Sequence, residues 1–169
     1  MGTLWIICGP AGVGKSTHAR KKAAELGACL LDSDTVTEPV VRAGMRLGGE
    51  DPWDRDSAVY RAAFRGPVYE CLFATAAENL PHTDVVLVGP FTSEIRGPDW
   101  LIELRARFGV EVKVIFVTCD EKERKRRIEL RGNPRDELKV RNWEAYVASS
   151  DVRPPVFEYE CLSNERLKS

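Results

Sequence analysis

Four short runs of apolar, largely β-branched residues recur along the chain: Thr3–Cys8, Ala28–Leu31, Val85–Val88 and Val112–Val117. They lack the strict apolar–polar alternation of a strand with one wet face. Continuous runs of this kind suit strands covered on both faces, as in a parallel sheet. Segments of helical composition lie between them. Lys15–Leu26 is followed by Gly27, placed as a C-terminal cap. Asp54–Arg65 and Pro67–Leu80 read as two helices parted at Gly66-Pro67, and Pro98–Phe108 closes at Gly109. Asp120–Arg131 opens with an aspartate cap and Glu123 three residues on; Pro134–Ala148 opens with Asn133 before a first-turn proline. The stretch after Val152 reads as an edge strand around Val156–Tyr159. No element is assigned between Asp34 and Asp54. Strands alternating with helices predict βα units around a parallel sheet, in which ligands bind beyond the carboxyl ends of the strands. Those ends deliver Gly9, Asp32 with Asp34, Gly89, and Cys119 with Asp120 to one edge.

Composition narrows the class. A chain of 169 residues is enough for one compact domain and too short for two. With 43% hydrophobic and 30% charged residues it has an ordinary globular balance. No apolar run is long enough to span a bilayer. The first residues carry no charged n-region or cleavage site, so no signal peptide is expected. The five cysteines are odd in number and form no CxxC pair, which argues against a disulfide framework or a zinc site and suits a reducing cytoplasm. Two histidines add little material for metal ligation. A net charge of −1 does not mark the whole chain as a nucleic-acid binder.

The informative stretch is "GPAGVGKST": Gly9, Pro10, Ala11, Gly12, Val13, Gly14, Lys15, Ser16 and Thr17. Its first eight residues match G-x-x-x-x-G-K-[ST], with a strand before and a helix after. Glycines let the backbone wrap closely around phosphates with N–H groups pointing inward, and the helix adds its positive N-terminal end. In this motif Lys15 reaches the β- and γ-phosphates and the Ser16 hydroxyl ligates Mg²⁺. Thr17 is placed to contact the α-phosphate. This predicts ATP and Mg²⁺ as cofactors. Nineteen residues past Lys15, "LLDSD" ends the second strand. Asp34 is the candidate general base for an attacking hydroxyl, and Asp32 the second candidate metal holder; the two could exchange roles.

At these residues the chain resembles the small P-loop kinases of the zeta-toxin, chloramphenicol phosphotransferase and polynucleotide kinase group, chains often labelled AAA-family ATPases. The resemblance runs from about Thr3 to Ala148 and includes the basic stretch "RRIELRGNPRDELKVRNWEAY". It implies an α/β, three-layer P-loop NTPase fold with a five-stranded parallel sheet flanked by helices, as a single kinase domain over 1–169 with a lid around 121–141. It also implies γ-phosphoryl transfer to a hydroxyl. One departure stands out: where the family's third strand ends in an acid, this chain has Val88. Mg²⁺ then rests on Ser16, phosphate oxygens, waters and Asp32.

The segment from Glu121 to Arg141 holds nine Lys/Arg and five Asp/Glu, a local +4. Arg124, Arg127 and Arg131 share one helix face by spacing. A solvated face laced with ion pairs explains part of this pattern, since Glu123–Arg127 has the favourable i,i+4 order. It explains Arg131 and Arg135 less well, since neither has an acid four residues earlier. The family resemblance makes Arg127 and Arg131 catalytic candidates that neutralise charge on the transferring group, and adds Arg135 to the nucleotide-binding set. Trp53, Arg61, Arg65, Tyr69, Phe91 and Arg96 are candidates for the acceptor wall. The reading that follows is a kinase acting on a small-molecule or nucleotide acceptor. A polynucleotide 5′-hydroxyl kinase and a regulatory NTPase without an acceptor are the alternatives.

Overall fold

The computed structural model describes residues 1–164; residues 165–169, the end of the expected 1–169 domain, lie outside the described residues. Five parallel strands form one sheet in the order β2-β3-β1-β4-β5, with β1 at Leu4–Cys8, β2 at Cys29–Asp32, β3 at Val85–Val88, β4 at Val112–Thr118 and β5 at Glu160–Ser163. The expected five-stranded, helix-flanked sheet is the observed one. Side chains alternate across the sheet, and both faces are apolar. Leu4, Ile6 and Cys8 point into one core with Leu31, Leu87 and Phe116; Ile7 points into the other with Val86, Val88 and Val117. This is why the strand runs do not alternate with polar residues. Helix α1 (Lys15–Leu26) presents Ala19 and Ala23 to the second core, small enough for the helix to lie close against the sheet. Helices α2 (Ser33–Leu47), α4 (Gly66–Asn79) and α5 (Trp100–Phe108) cover the first.

The structure departs from the sequence expectation in five places. First, α2 occupies a stretch to which no element was assigned. Its residues Thr37, Val41 and Met45 repeat every four positions and are buried. Second, residues 58–79 do not break at Gly66-Pro67. Helix α3 (Ala58–Tyr60), a π turn at Arg61–Arg65 and α4 run on continuously, with Gly66 itself helical at φ −62° and ψ −55°. A π turn widens the ladder just before Pro67, where the proline ring would otherwise press on the carbonyl four residues back. Third, Pro98–Phe108 begins its helix only at Trp100. Fourth, Pro134–Ala148 divides. Behind α6 (Glu121–Arg131) come a 3₁₀ turn at Pro134–Asp136, α7 (Glu137–Arg141) and α8 (Trp143–Ser149), broken where Asn142 leaves helical geometry at φ −119°, ψ 47°. Fifth, the last strand lies at 160–163, not 156–159. The aromatic residues that suggested a strand there fill the core instead: Phe157 packs on Trp100 and Tyr159 meets Phe116 edge-on. No helix among the described residues is long and apolar enough to cross a membrane.

Candidate active site

A cleft of about 1410 Å³ opens beyond the carboxyl ends of the strands and is lined by Gly12, Gly14, Lys15, Ser16, Asp32, Asp34 and the acceptor-side residues described below. Clefts for one drug-sized ligand run to about 300–1,000 Å³. This one has room for two substrates.

The phosphate loop joins β1 to α1. Gly9, Gly12 and Gly14 take φ values of 132°, 82° and 95°, a region that side chains disfavour. A Cβ on Gly9 would stand 2.4 Å from the Val117 carbonyl oxygen. The loop is held from outside. Arg124 Nε donates to the Ala11 carbonyl at 3.1 Å, Arg127 Nη1 to the Val13 carbonyl at 3.1 Å, and Asn164 Nδ2 to the same oxygen at 2.7 Å. The N–H groups of Gly12, Val13 and Gly14 have no protein acceptor among the described residues. A run of spare N–H donors is what a phosphate group requires. Lys15 lies against the Pro10 carbonyl at 2.8 Å. Burial lowers its pKa from 10.5 to about 8, against the opposing pull of the Asp34 carboxylate. An ammonium kept this dry gains strongly from an arriving polyphosphate, so the residues present fit ATP.

Asp32 is the last residue of β2 and also the N-cap of α2, its Oδ1 accepting the Asp34 N–H at 3.0 Å. Its Oδ2 accepts the Ser16 hydroxyl at 2.6 Å. Strand register places Asp32 directly beside Val88. An acid thus stands at the end of the strand next to Val88. Two hard oxygen donors side by side at the mouth of a phosphate loop fit Mg²⁺. Asp34 does not sit at the strand end, as expected, but in the first turn of α2. It is half exposed and ion-paired to Arg135. Burial alone would raise its pKa, but the hydrogen bond and charge of Arg135, with Lys15 and Arg131 behind, hold it below the ordinary carboxylate range.

The three candidate arginines of 121–141 are brought to the cleft, each with an acid. Arg127 Nε pairs with Glu123 at 2.7 Å while its Nη atoms hold the Val13 and Asn164 carbonyls. Arg131 pairs with the buried Asp136, and Arg135 with Asp34 and, at 3.7 Å, Glu38. Neither Arg131 nor Arg135 has an acid four residues earlier, yet both are ion-paired: Asp136 follows Arg131 by five residues across a turn, and Asp34 comes from across the cleft. Three site residues escaped the sequence reading. Glu38 lies one turn beyond Asp34 and pairs with Arg55 at 3.0 Å, a spacing visible only once α2 is recognised. Arg124, read as one of a shared face, is 4% exposed and braces the loop. Asn164 had no sequence signal.

Tyr60, Arg61, Arg65, Tyr69, Thr92, Ser93 and Arg96 also line the cleft, so four of the six candidates for the acceptor wall, Arg61, Arg65, Tyr69 and Arg96, are at its surface. Trp53 and Phe91 do not contribute as ligand surfaces. Arg42 stacks over Trp53, and Phe91 is fully buried between Tyr69 and Trp100.

Fold and loop together define a P-loop NTPase. An AAA domain family model matches residues 4–152, and the chain belongs to that family. No curated protein sequence matches it. Among solved structures it is similar to a putative kinase from Chloroflexus aurantiacus (20% identity, TM-score 0.62, covering 97% of this chain and 85% of that one). It is also similar to shikimate kinase from Bacteroides thetaiotaomicron (17%, 0.57, 99% and 89%). A third is the APS kinase of Mycobacterium tuberculosis, solved with AMPPNP and APS (17%, 0.52, 99% and 90%). At these identities the likeness is one of fold.

Proposed function

We propose that the protein is a kinase, a single domain that uses ATP and Mg²⁺ to phosphorylate a hydroxyl of a small molecule or nucleotide, with 121–141 as its lid. The observation that carries the reading is the placement of Asp34 opposite Lys15 in one cleft, close enough for each charge to shift the other's titration. A nucleotide switch needs no carboxylate there. The similarity to shikimate and APS kinases, which share the fold, supports a small-molecule acceptor.

The loop from Gly9 to Thr17 would bind the phosphates through its free N–H groups, with Lys15 as a point charge on the β- and γ-phosphates. Ser16 and Asp32 would hold Mg²⁺, which when bound offsets charge on the phosphate oxygens. Asp34 would take the proton of the acceptor hydroxyl as its oxygen bonds to the γ-phosphorus and the bond to the ADP oxygen breaks. Arg131 would face the equatorial oxygens; Arg127, expected to act beside it, has Nε, Nη1 and Nη2 engaged by Glu123, Val13 and Asn164 and would instead keep the loop in shape. Arg135 must leave Asp34 for the hydroxyl to enter, and would then turn to the nucleotide. The protein is expected to work in the cytoplasm.

A screen of hydroxyl-bearing acceptors for ADP release, followed by mass spectrometry of the product, tests the reading. On the acceptor found, Asp34→Asn should fold, bind Mg·ATP nearly normally and lose about a hundred- to ten-thousandfold in turnover. Asp32→Asn should instead raise the Mg²⁺ requirement. Normal turnover in Asp34→Asn with a dead Asp32→Asn would reverse the two roles.

A further inference from the structure

Ten basic side chains line the cleft against six acidic ones, in a chain whose formal charge is −1. Six of the ten are matched by carboxylates: Arg55, Arg65, Arg127, Arg131, Arg135 and Lys139. Four have no carboxylate at ion-pair distance among the described residues: Lys15, Arg20, Arg61 and Arg96. Lys15 and Arg20 belong to α1, at the nucleotide end. Arg61 and Arg96 belong to the other end.

Arg61 comes from the π turn and is steadied by the Asp56 carbonyl, to which its Nε donates at 3.0 Å. Arg96 closes the turn Glu94–Arg96 after β3. Its Nη2 donates to the Arg153 carbonyl at 3.2 Å, while its Nε is buried with no acceptor. The side chain lines the cleft together with Pro90, Thr92 and Ser93 beyond the end of β3. Asp151, an acid on the same wall, is already engaged by both Nε and Nη2 of Arg153. Arg96 Nη1 is neither hydrogen-bonded among the described residues nor shut off from solvent, so an anion in the cleft can accept from it. Between the two arginines the wall carries hydroxyls and one charge-balanced pair, Arg65 with Glu94 at 2.9 Å. Tyr69 accepts the Phe91 N–H at 3.3 Å, which frees its own proton to donate, and Thr92 and Ser93 stand beside it.

Resting on the kinase reading of this cleft, we infer that the acceptor is a small polyhydroxy molecule bearing an anionic group, a carboxylate or a phosphate monoester, received by Arg96 and Arg61 at the end away from Lys15. Glu38 and Asp34 bias the middle of the cleft against a second anion, so the charged group and the reacting hydroxyl lie at opposite ends of the acceptor.

The full chain, loaded with Mg²⁺ and AMPPNP to occupy the nucleotide end, can be titrated calorimetrically with matched polyols: glycerol, glycerate and glycerol 3-phosphate; glucose, gluconate and glucose 6-phosphate. An anionic member should bind about tenfold or more tightly than its neutral partner, the worth of one charge-assisted contact. Comparison of the carboxylates with the phosphates tells which anion is taken. Raising KCl from about 50 mM to about 300 mM should weaken the anion alone. Arg96→Ala should remove the preference and Arg96→Lys, which keeps charge and packing, should restore part of it. The inference is overturned if neutral and anionic partners behave alike, absence of binding included. It is also overturned if the preference survives in an Arg61→Ala/Arg96→Ala chain shown folded by circular dichroism, or if a 5′-hydroxyl oligonucleotide outbinds every small anion. Anion preference without ADP release from any acceptor would sink the kinase reading and leave this one standing. ADP release with neutral acceptors alone would do the reverse.

Discussion

Arg135, at the turn that follows α6, donates a hydrogen bond across the cleft to a carboxylate oxygen of Asp34, 101 residues away in the chain. The candidate base is thus covered by a cation from the opposite wall. Its pKa lies below the ordinary value, so the pair contributes stability above the pKa of an unfolded aspartate, and that contribution is lost as pH falls through the lowered pKa.

Arg135→Ala should therefore move the acid limb of kcat/KM upward, toward about pH 4, the ordinary aspartate value. It should also remove part of the stability that the parent chain keeps in mildly acid solution. A pH–rate profile on an identified acceptor and urea unfolding at several pH values read the two effects. An acid limb that stays in place in the variant would mean that Asp34 is not the titrating base.

Lys15 makes a second pH prediction with the opposite cause. Its folded pKa of about 8 lies below the ordinary 10.5, so the free protein should gain stability as pH rises between these values. Polyphosphate binding restores the charge. Nucleotide binding near pH 8.5 should then take up a substantial fraction of a proton. Calorimetry in two buffers of different ionisation enthalpy measures it, and Lys15→Met should abolish both the uptake and most of the affinity. Equal heats in both buffers would show that Lys15 is already protonated in the free protein.

Arg131 has two claims on it, the buried Asp136 and the transferring phosphoryl group. Removing it leaves Asp136, which is 2% exposed, with Lys139 at 3.8 Å as its remaining ion-pair partner. Arg131→Ala should cost about 1–3 kcal/mol of stability, the range for an unsatisfied buried group. Asp136→Asn loosens the same corner and leaves the guanidinium in place. If Arg131 acts on the phosphoryl group, turnover falls at least about tenfold further in Arg131→Ala than in Asp136→Asn. Equal losses would make Arg131 a brace only.

Asn164 ties the end of β5 to the phosphate loop through Val13 and sits so near Gly14 that a Cβ there would lie 2.3 Å from its Nδ2. Asn164→Ala should weaken AMPPNP binding several-fold, about 1 kcal/mol for one lost hydrogen bond, with a similar loss of stability. Unchanged affinity would show that Arg124 and Arg127 hold the loop without it.

What could be read from the chain was what depends on near neighbours. The phosphate loop needs glycines at fixed positions between a strand and a helix, so eight residues carry their own geometry. Strands β1, β3 and β4 announce themselves by burial on both faces, and β2, at the sheet edge, by its short apolar run. Helix α2 did not, because Thr35, Val36, Thr37 and Val40 are β-branched and Pro39 and Gly44 oppose helix locally. Val41 and Met45 dock in the first core, and that tertiary gain overrides propensity. With α2 unread, Asp34 was put at a strand end and Glu38 was invisible. The partners of Arg131 and Arg135 were missed for a related reason. An i,i+4 rule sees only one helix face, while Asp136 lies beyond a turn and Asp34 on another element.

The pairs Arg135–Asp34, Arg135–Glu38 and Lys139–Asp56 all join the 121–141 segment to the opposite wall. If 121–141 is the lid proposed above, these contacts must part before the acceptor hydroxyl reaches Asp34, and the acceptor's encounter rate should follow how often they do. Ionic strength, which ordinarily slows the capture of an anionic ligand by a basic site, acts here on these contacts as well. Moderate salt should quicken arrival of an anionic acceptor, read by stopped-flow mixing, even while it loosens the complex that results.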